Sequence, residues 1–268
     1  MDYDKQAVKD FWEDASCGER LYLDGRNRQD FLNQSDIRYR LEPYILDFAE
    51  FDKHGGKKVL EIDVGLGADH QKFAEAGAEL YGVDLTQRAL GNTQARFVCM
   101  DLATRLSNVD AEKLPFIDNA FDLVYSWGVL HVTPDTPAAI DEVYRVLKPG
   151  GEARIMIYHT YSMVGYMLWV RYALMRLQPW KTLGDIYFNY LESRGTKAYT
   201  IEEARELFQK FKNPEFHIYL THGDLLTSAA GQRHEGVLLD LARTIWPRRI
   251  IRKYFKNHGL FLTIRATK

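Results

Sequence analysis

Cysteine is nearly absent from this chain, whose 268 residues include only Cys17 and Cys99. Two isolated cysteines argue against a disulfide framework and against a cysteine-rich metal site. No histidine and carboxylate pair shows the spacing of metal ligands, so we predict no metal. Because scarce cysteine fits a reducing compartment, we expect a cytoplasmic protein.

Long apolar runs are also missing. The first 20 residues are charged and lack the apolar core of a signal peptide. The most apolar stretch, residues 161–180, is interrupted by Arg171 and Arg176. It falls short of the roughly 20 clean apolar residues that a spanning helix needs. We therefore expect neither a secretion signal nor a transmembrane segment.

Neither sign of charge dominates the chain, whose formal net charge is −2. This near-neutral total argues against nucleic acid as a partner. The distribution is uneven, because residues 160–268 carry 17 Lys and Arg against 9 Asp and Glu. This basic C-terminal region, which contains the amphipathic segment WPRRIIRKYFKNHG, suggests peripheral contact with an anionic membrane surface. A merely solvated basic face explains the same pattern.

The chain does contain a regular alternation of strand and helix patterns between residues 57 and 158. The predicted strands are KKVLEIDV, ELYGVDL, a short strand in LSNVDAEKLPF, FDLVYSWGVL and EARIMIYH. The helices between them are DHQKFAEAGA, a segment from about Thr86 to Arg96, and TPAAIDEVYRVLKPGG, which we expect to stop at Pro149. This rhythm predicts a doubly wound α/β fold with a mostly parallel sheet.

The flanking regions break this rhythm. Residues 1–50 are predicted to be helical, and residues 51–268 to form the main domain. Residues of about 160–212, helical and aromatic, look like an insertion after strand five. EFHIYLTH and GLFLTIRAT then predict two closing strands.

A ligand site is predicted at the carboxyl ends of the parallel strands. The segment VLEIDVGLGADH ends the first strand in a turn with Gly65 and Gly67, and Asp84 ends the second strand. An acid at that place typically accepts hydrogen bonds from ribose hydroxyls. A dinucleotide site would need a third glycine, and Asp63 and Asp69 would lie close to its phosphates. A cofactor with a cationic end fits these acids better than NAD or FAD.

Five motifs, in order, resemble those of class I S-adenosylmethionine-dependent methyltransferases, in particular the ubiquinone/menaquinone-biosynthesis type. They are E-x-D-x-G-x-G from Glu61, GVDL, DAEKLPF, FDLVYSWGVLHVTPD and RVLKPGG, all within about residues 57–158. The resemblance implies a Rossmann-like, seven-stranded sheet with an antiparallel last strand. It also implies an N-terminal helical lid, in which Trp12 and Tyr22 cover the cofactor.

The resemblance further implies a reaction. A methyl group would pass from S-adenosyl-L-methionine, leaving S-adenosyl-L-homocysteine, to a small apolar or aromatic acceptor at oxygen or carbon. Such an acceptor would be lipid-like, or a quinol or phenol.

Ten residues follow from the resemblance as the cofactor site. We expect contacts from Glu61, Gly65 and Gly67 to the methionine end, Asp84 to the ribose, Leu85, Asp110 and Ala111 to the adenine, and Ser126 and Trp127 to the methyl-donor end. The tenth, Asp63, stands where the family pattern usually has glycine. Its carboxylate would either pair with the ammonium of the cofactor or weaken binding, and an Asp also tolerates unusual turn geometry.

Three side chains at strand ends are candidates for catalysis: His131 after strand four, and Tyr158 and His159 at the end of strand five. The sulfonium of the cofactor supplies the leaving group, so the protein mainly aligns the reactants and excludes water. A general base helps when the acceptor is a hydroxyl or an acidic carbon, and histidine is suited to that role. Each of the three also has a purely structural interpretation.

Three alternatives remain open from the sequence alone. In one, Asp63 abolishes binding and the chain is a scaffold or regulatory protein. In another, the acceptor is a nucleic acid or protein, although SWGVLH stands where amino-directed nucleic-acid methyltransferases carry Asn/Asp-Pro-Pro-aromatic. In the third, the protein is an NAD-linked oxidoreductase, which the incomplete glycine pattern disfavours.

Overall fold

The computed structural model describes residues 3–228 and 243–268. At its centre lies a seven-stranded sheet in the order β3-β2-β1-β4-β5-β7-β6. The strands are β1 (Lys58–Ile62), β2 (Glu79–Asp84), β3 (Arg105–Asn108), β4 (Phe121–Trp127), β5 (Leu147–Tyr158), β6 (Lys212–Tyr219) and β7 (Phe261–Thr267). Strands β1 to β5 pair in parallel, and β7 runs antiparallel to both β5 and β6. The predicted fold class, with its antiparallel last strand, is confirmed.

Helices cover both faces of this sheet. Before and within the first half they are α1 (Tyr3–Asp14), α2 (Glu19–Tyr22), α3 (Arg28–Leu41), α4 (Tyr44–Ala49), α5 (Ala68–Glu75), α6 (Gln87–Met100) and α7 (Thr136–Val146). After β5 come α8 (Met163–Tyr172), α9 (Leu183–Ile186), α10 (Ile201–Leu207), α11 (His222–Leu225) and α12 (Arg248–Tyr254). Among the described residues, no helix is long and apolar enough to cross a membrane.

The alternation of side chains along the strands builds two buried layers. Leu60 and Val124 belong to one apolar cluster, whereas their neighbours Val59 and Leu123 belong to the other. Successive residues of a strand point to opposite faces, so both faces of the central strands are buried. Helix α4 packs into the second layer, and its Ile45 is fully buried. The predicted N-terminal lid therefore ends in a helix that is part of the core.

The structure moves two predicted boundaries. Helix α6 continues past Arg96 to Met100 and ends where Asp101 adopts a left-handed conformation, with φ 56°. Helix α7 ends at Val146, before Pro149, because Leu147 already pairs with Phe121 of β4. The end of α7 is thus decided by a strand contact distant in sequence, and the end of α6 by the local conformation of Asp101.

The order of the strands places the site. Strands β2 and β3 lie on one side of β1 in the sheet, and strands β4 and β5 lie on the other side. At such a switch point, the loops after neighbouring strands diverge and leave a crevice at the carboxyl end of the sheet.

Candidate active site

A cavity of about 190 Å³ occupies this crevice. Nine of the ten predicted cofactor residues line it: Glu61, Asp63, Gly65, Gly67, Asp84, Leu85, Asp110, Ala111 and Trp127. The tenth, Ser126, is fully buried in β4 and does not line the cavity. Its hydroxyl has no hydrogen-bond partner among the described residues. The fold thus gathers residues from the ends of four strands, and from the loops that follow them, around one space.

The turn after β1 has the backbone geometry of a glycine-rich loop even though it begins with an aspartate. Asp63 has φ 71°, in the left-handed region, and its N–H donates to the carbonyl of Val83 at 2.8 Å. Gly67 has φ 75°, and a Cβ there would lie 2.9 Å from Oγ1 and 3.2 Å from Cα of Thr93. Glycine is therefore required at Gly67 by both conformation and space.

A buried arginine holds this turn from behind. Nε of Arg96 donates to the carbonyl of Leu66 at 2.7 Å, and its Nη1 donates to Ser35 at 2.7 Å and Gln71 at 2.9 Å. Nη2 donates to the side-chain carbonyl of Gln34. Burial lowers the pKa of Arg96 to about 10, so the guanidinium remains charged at neutral pH. The arginine ties the turn to helix α3 and to helix α5.

Three hydrogen bonds hold Asp84, the acid at the end of β2. The Asp84 carboxylate accepts hydrogen bonds from the N–H and the hydroxyl of Thr86, at 2.9 and 2.7 Å, and from the N–H of Gly65 at 3.3 Å. This carboxylate lines the cavity and is buried. It is therefore pre-oriented to accept hydrogen bonds from a ligand.

Two acids of the cavity have strongly raised pKa values. Burial, and then the charge of Asp69, raise the pKa of Glu61. Burial, and then the charge of Asp84, raise the pKa of Asp63. Behind Glu61 lies His70, whose Nδ1 is 2.8 Å from the carboxylate. Burial lowers the pKa of His70 to about 3, so its ring stays neutral and supplies no positive charge. A cationic ligand would stabilise the ionised forms of both acids.

Asp69, which was expected to lie near the phosphates of a dinucleotide, is already paired with a cation. Its carboxylate accepts from Nε and Nη2 of Arg38 at 2.9 and 2.6 Å, and from the hydroxyls of Tyr39 at 3.0 Å and Tyr125 at 2.8 Å. Burial alone would raise the pKa of Asp69, but Arg38 and the two hydroxyls outweigh burial and lower it. This pair joins helix α3 to the start of helix α5.

The N-terminal segment is fastened across the cavity. Lys5 forms ion pairs with Asp110, at 2.5 Å, and with Glu112. The Glu13 carboxylate accepts hydrogen bonds from the backbone N–H groups of Gln87 and Arg88, at 2.9 and 3.0 Å, in the first turn of α6. Trp12, between these two attachments, lines the cavity as the sequence led us to expect.

A second cavity, of about 640 Å³ and mostly apolar, lies between the N-terminal helices and the segment after β5. Tyr22 lines this cavity rather than the first. Eight residues line both cavities: Trp12, Cys17, Gln34, Arg38, Glu42, Tyr158, Glu192 and Phe261. The two cavities therefore meet, and polar groups are concentrated where they meet.

Two carboxyl groups at this junction ionise close to neutral pH. The hydroxyl of Tyr158 donates to Oε1 of Glu192 at 2.9 Å. Burial raises the pKa of Glu192 to about 7, against the lowering effect of that hydrogen bond. Burial also raises the pKa of Glu42 to about 7, although Arg38 lowers it. Groups of this kind can exchange protons at physiological pH.

The two predicted histidines lie away from the cavities. His131 is fully buried, its ring centroid 3.9 Å from that of Tyr158, and it lines neither cavity. Burial, and then the charge of Lys197, lower its pKa to about 3. His159 is also buried and lines neither cavity, and burial lowers its pKa. Only Tyr158, of the three predicted catalytic residues, reaches both spaces.

Sequence reasoning missed Arg38, Glu42 and Glu192. Arg38 lies in the polar helix α3, which has no recognisable motif, and Glu42 directly follows the last residue of that helix. Glu192 follows a short π-helical turn, Tyr187–Leu191, in the aromatic insertion. Glu192 stands in a short polar stretch, LESRG, so the sequence carried no signal that pointed to it.

Comparison with known proteins finds a methyltransferase domain in this chain. Residues 60–155 match the methyltransferase domain family. An uncharacterized protein of Mycobacterium bovis is 34% identical over 113 residues, which are 42% of this chain and 41% of that protein. The ubiquinone/menaquinone biosynthesis C-methyltransferase of Cereibacter sphaeroides is 32% identical over 156 residues, 56% of this chain and 60% of that enzyme. The chain thus matches only part of the length of each of these relatives.

A solved structure shows the same fold. Phosphoethanolamine N-methyltransferase 2 of Haemonchus contortus, in complex with phosphomonomethylethanolamine and S-adenosylhomocysteine, has a TM-score of 0.57 at 20% identity. The likeness covers 90% of this chain and 60% of that one. The matched residues and the sheet together show that this chain contains a methyltransferase domain with the class I, Rossmann-like fold.

Proposed function

We propose that this protein methylates a small apolar or aromatic acceptor, at oxygen or carbon, with S-adenosylmethionine as the methyl donor. The observation that carries the proposal is the junction of an acid-lined cavity with a larger, mostly apolar one. When bound, S-adenosylmethionine supplies a methyl group on a sulfonium, and the electron pair of the broken C–S bond stays on sulfur. The protein has to bind, align and shield the reactants.

The residues of the first cavity fit this cofactor. Glu61 and Asp63 would hold its ammonium group. Arg38 is the cation that favours their ionised forms, and it does not offset the effect of burial. The fixed Asp84 carboxylate would accept from the ribose hydroxyls. The turn at Gly67, too tight for any side chain, lets the backbone approach the ligand closely.

The remaining contacts are those that the resemblance implies for residues of this lining. Leu85, Asp110 and Ala111 would border the adenine, and Trp127 would border the methyl end. We assign no contact to Ser126, which is buried outside the lining.

Glu192 is the general base in this proposal. It reaches both cavities, its pKa of about 7 suits proton transfer at neutral pH, and the Tyr158 hydroxyl orients it. The proton of the acceptor hydroxyl or acidic carbon passes to the Glu192 carboxylate and then to water. His131 packs against Tyr158 and fixes its ring, which is a supporting role for a residue that the sequence suggested as the base.

Glu192→Gln tests this assignment. The amide keeps the size of the side chain but cannot accept the proton, so we expect kcat to fall about 10²-fold or more. Affinity for S-adenosylmethionine should stay within about threefold, which is less than about 1 kcal/mol. Methylated product from a panel of apolar phenols and quinols is measured with methyl-labelled cofactor. Gly67→Ala serves as the variant that should lose cofactor binding.

The pH profile separates a base from a packing residue. Ionisation of Glu192 should make kcat rise as pH increases through about 7 and then level off. Charged and titratable groups around it are Tyr158, Glu42, Cys17, Asp63 and Arg38. Glu192→Asp should keep this rise of kcat with pH at a lower rate, and Glu192→Gln should lose the rise. An unchanged kcat in Glu192→Gln would refute the role of Glu192.

A scaffold without activity is the less favoured alternative. Asp63 adopts the backbone conformation that a glycine would have at this place, and the cavity behind it is open. The departure from the family pattern therefore leaves the shape of the turn intact.

A further inference from the structure

Exposed apolar side chains are concentrated in two segments of the described chain. The first, residues 170–180 at and beyond the end of α8, includes Leu177 and Trp180, which are 84% and 74% exposed. The second, residues 245–255 around α12, includes Ile245 and Tyr254, which are 73% and 67% exposed. Side chains of this size are rarely grouped on a surface that faces only water.

The same two segments are free of acidic residues. Residues 161–184 contain three cations and no Asp or Glu, and residues 243–256 contain six cations and no Asp or Glu. Arg171, Arg176, Arg249, Arg252 and Lys253 are all exposed. A surface that served only solubility would be expected to mix charges of both signs. Here every charge is positive.

Both segments border the second cavity. Val170 and Met175 line it from the first segment and are themselves exposed, so the cavity opens to the surface beside them. Trp246 lines it from the second segment. We call the exposed side chains of residues 170–180 and 245–256 the rim surface.

Hydrogen bonds at the start of α8 and through Asp224 of α11 link the chain around the two segments. The indole N–H of Trp246 donates to the carbonyl of Asp224 at 2.9 Å, and the N–H of Val164 in α8 donates to the Asp224 carboxylate at 3.1 Å. At the other end of α12, the Tyr166 hydroxyl lies 2.7 Å from Nδ1 of His258. The residues that flank α12 are therefore linked to the start of α8, and the two parts of the rim surface border the same cavity.

We propose that the rim surface docks on an anionic lipid membrane. Its apolar and aromatic side chains would enter the headgroup region, and its arginine and lysine side chains would contact lipid phosphates and carboxylates. Aromatic residues beside cations are suited to the headgroup region, because the ring is apolar while the charged group next to it stays in contact with water. Arg171 and Arg176 lie 5.3 and 5.0 Å from the ring centroid of Tyr172, an arrangement of this kind.

Docking in this way would turn the apolar cavity toward the bilayer. An acceptor with a lipid-like body could then pass from the membrane into the cavity without crossing water. This consequence rests on the proposed function, whereas membrane binding itself does not.

Vesicle sedimentation with the full chain tests the proposal. Phosphatidylcholine vesicles are compared with vesicles that also contain phosphatidylserine, at low and high salt. We expect binding to the phosphatidylserine vesicles, at least about tenfold stronger than to phosphatidylcholine alone and weakened by salt. Equal binding to both vesicles, or no binding to either, would overturn the proposal.

Two pairs of variants separate the apolar and the charged contributions. Leu177→Ser with Trp180→Ser removes apolar surface, and Arg252→Glu with Lys253→Glu reverses charge. Each double variant should weaken vesicle binding at least about tenfold. The matched controls, Ile117→Ser and Lys210→Glu, change exposed residues outside the rim surface and should have no effect. Equal losses in the controls would contradict a specific surface.

Two further readouts exclude other occupants. Light scattering shows whether the rim surface joins two copies of the chain, and competition by duplex RNA shows whether it binds nucleic acid. Dimers that Leu177→Ser with Trp180→Ser dissociates, or vesicle binding that RNA abolishes, would overturn the proposal. Calorimetry of S-adenosylmethionine on the same variants keeps the two hypotheses apart. The variants should keep cofactor binding, and failure of the parent to bind cofactor would count against the proposed function alone.

Discussion

Asp63 shows how one residue can depart from a motif and still keep its geometry. The position requires a left-handed backbone, which costs an ordinary residue about 1 kcal/mol and costs glycine little. The half-buried carboxylate beside Asp84 adds a second unfavourable contribution, because loss of solvation and then the charge of Asp84 raise its pKa. Retention of an acid under both penalties is consistent with a role in binding a cation.

Asp63→Gly should therefore stabilise the protein without ligand. We expect a gain of more than about 1 kcal/mol in the free energy of unfolding near neutral pH, measured by urea denaturation. Asp101→Gly is the control, because Asp101 also has a left-handed backbone, with φ 56°, but is exposed. It should gain about 1 kcal/mol at most.

The advantage of Asp63→Gly should depend on pH. The pKa of Asp63 is raised in the folded state, so the folded protein holds this proton more tightly than the unfolded chain. Its unfavourable contribution is absent below the unfolded pKa of about 4 and grows as pH rises from there toward the folded value. A gain that is no larger than that of Asp101→Gly near neutral pH would contradict this view of Asp63.

The positions of the proposed cofactor residues could be predicted from the sequence, and that of the proposed base could not. Acids and glycines that follow strands stay at the carboxyl edge wherever the rest of the chain goes, so their places follow from the strand pattern. The choice of His131 and His159 rested on the ordinary pKa of histidine, and burial removes that advantage. Glu192 acquires its pKa of about 7 only through packing distant in sequence.

At the scale of elements, two arginines hold helix α3 against its neighbours. Arg38 of α3 pairs with Asp69 at the start of α5, and Arg96 of α6 donates hydrogen bonds to Ser35 of α3 and to the carbonyl of Leu66 in the turn after β1. The strands and most helices follow from local pattern. The attachment of α3 could not be predicted, because a polar helix carries no sign of which buried acid it will neutralise.

Arg38→Met should be strongly destabilising. It leaves Asp69, which is only 3% exposed, without its cation, so we expect a loss of about 3 kcal/mol in the free energy of unfolding. Arg20→Met, which breaks a fully exposed ion pair with Asp14, should cost less than about 1 kcal/mol. Urea denaturation of both variants measures the difference. Equal losses would mean that Arg38 does not anchor the helix.

Across the whole molecule, the acid-lined cavity, the apolar cavity and the rim surface follow one another from the sheet to the surface. An acid-lined cavity at the sheet opens into an apolar cavity, which in turn opens beside the basic and apolar rim surface. The excess of cations after residue 160 was visible in the sequence. Its concentration around the mouth of a cavity was not, because segments about 70 residues apart in the chain meet only in the fold.

The most direct test of the central claim is calorimetric titration of S-adenosylmethionine and S-adenosylhomocysteine into the protein and Asp63→Gly, at about pH 6 and about pH 8. A cationic ligand favours the ionised forms of Glu61 and Asp63, whose pKa values are raised, so binding should release protons and strengthen as pH rises. We expect micromolar binding by the parent protein, with a smaller pH dependence in Asp63→Gly. Absence of binding by both proteins would contradict the assignment of the cavity, and binding by Asp63→Gly alone would contradict the activity of the parent chain.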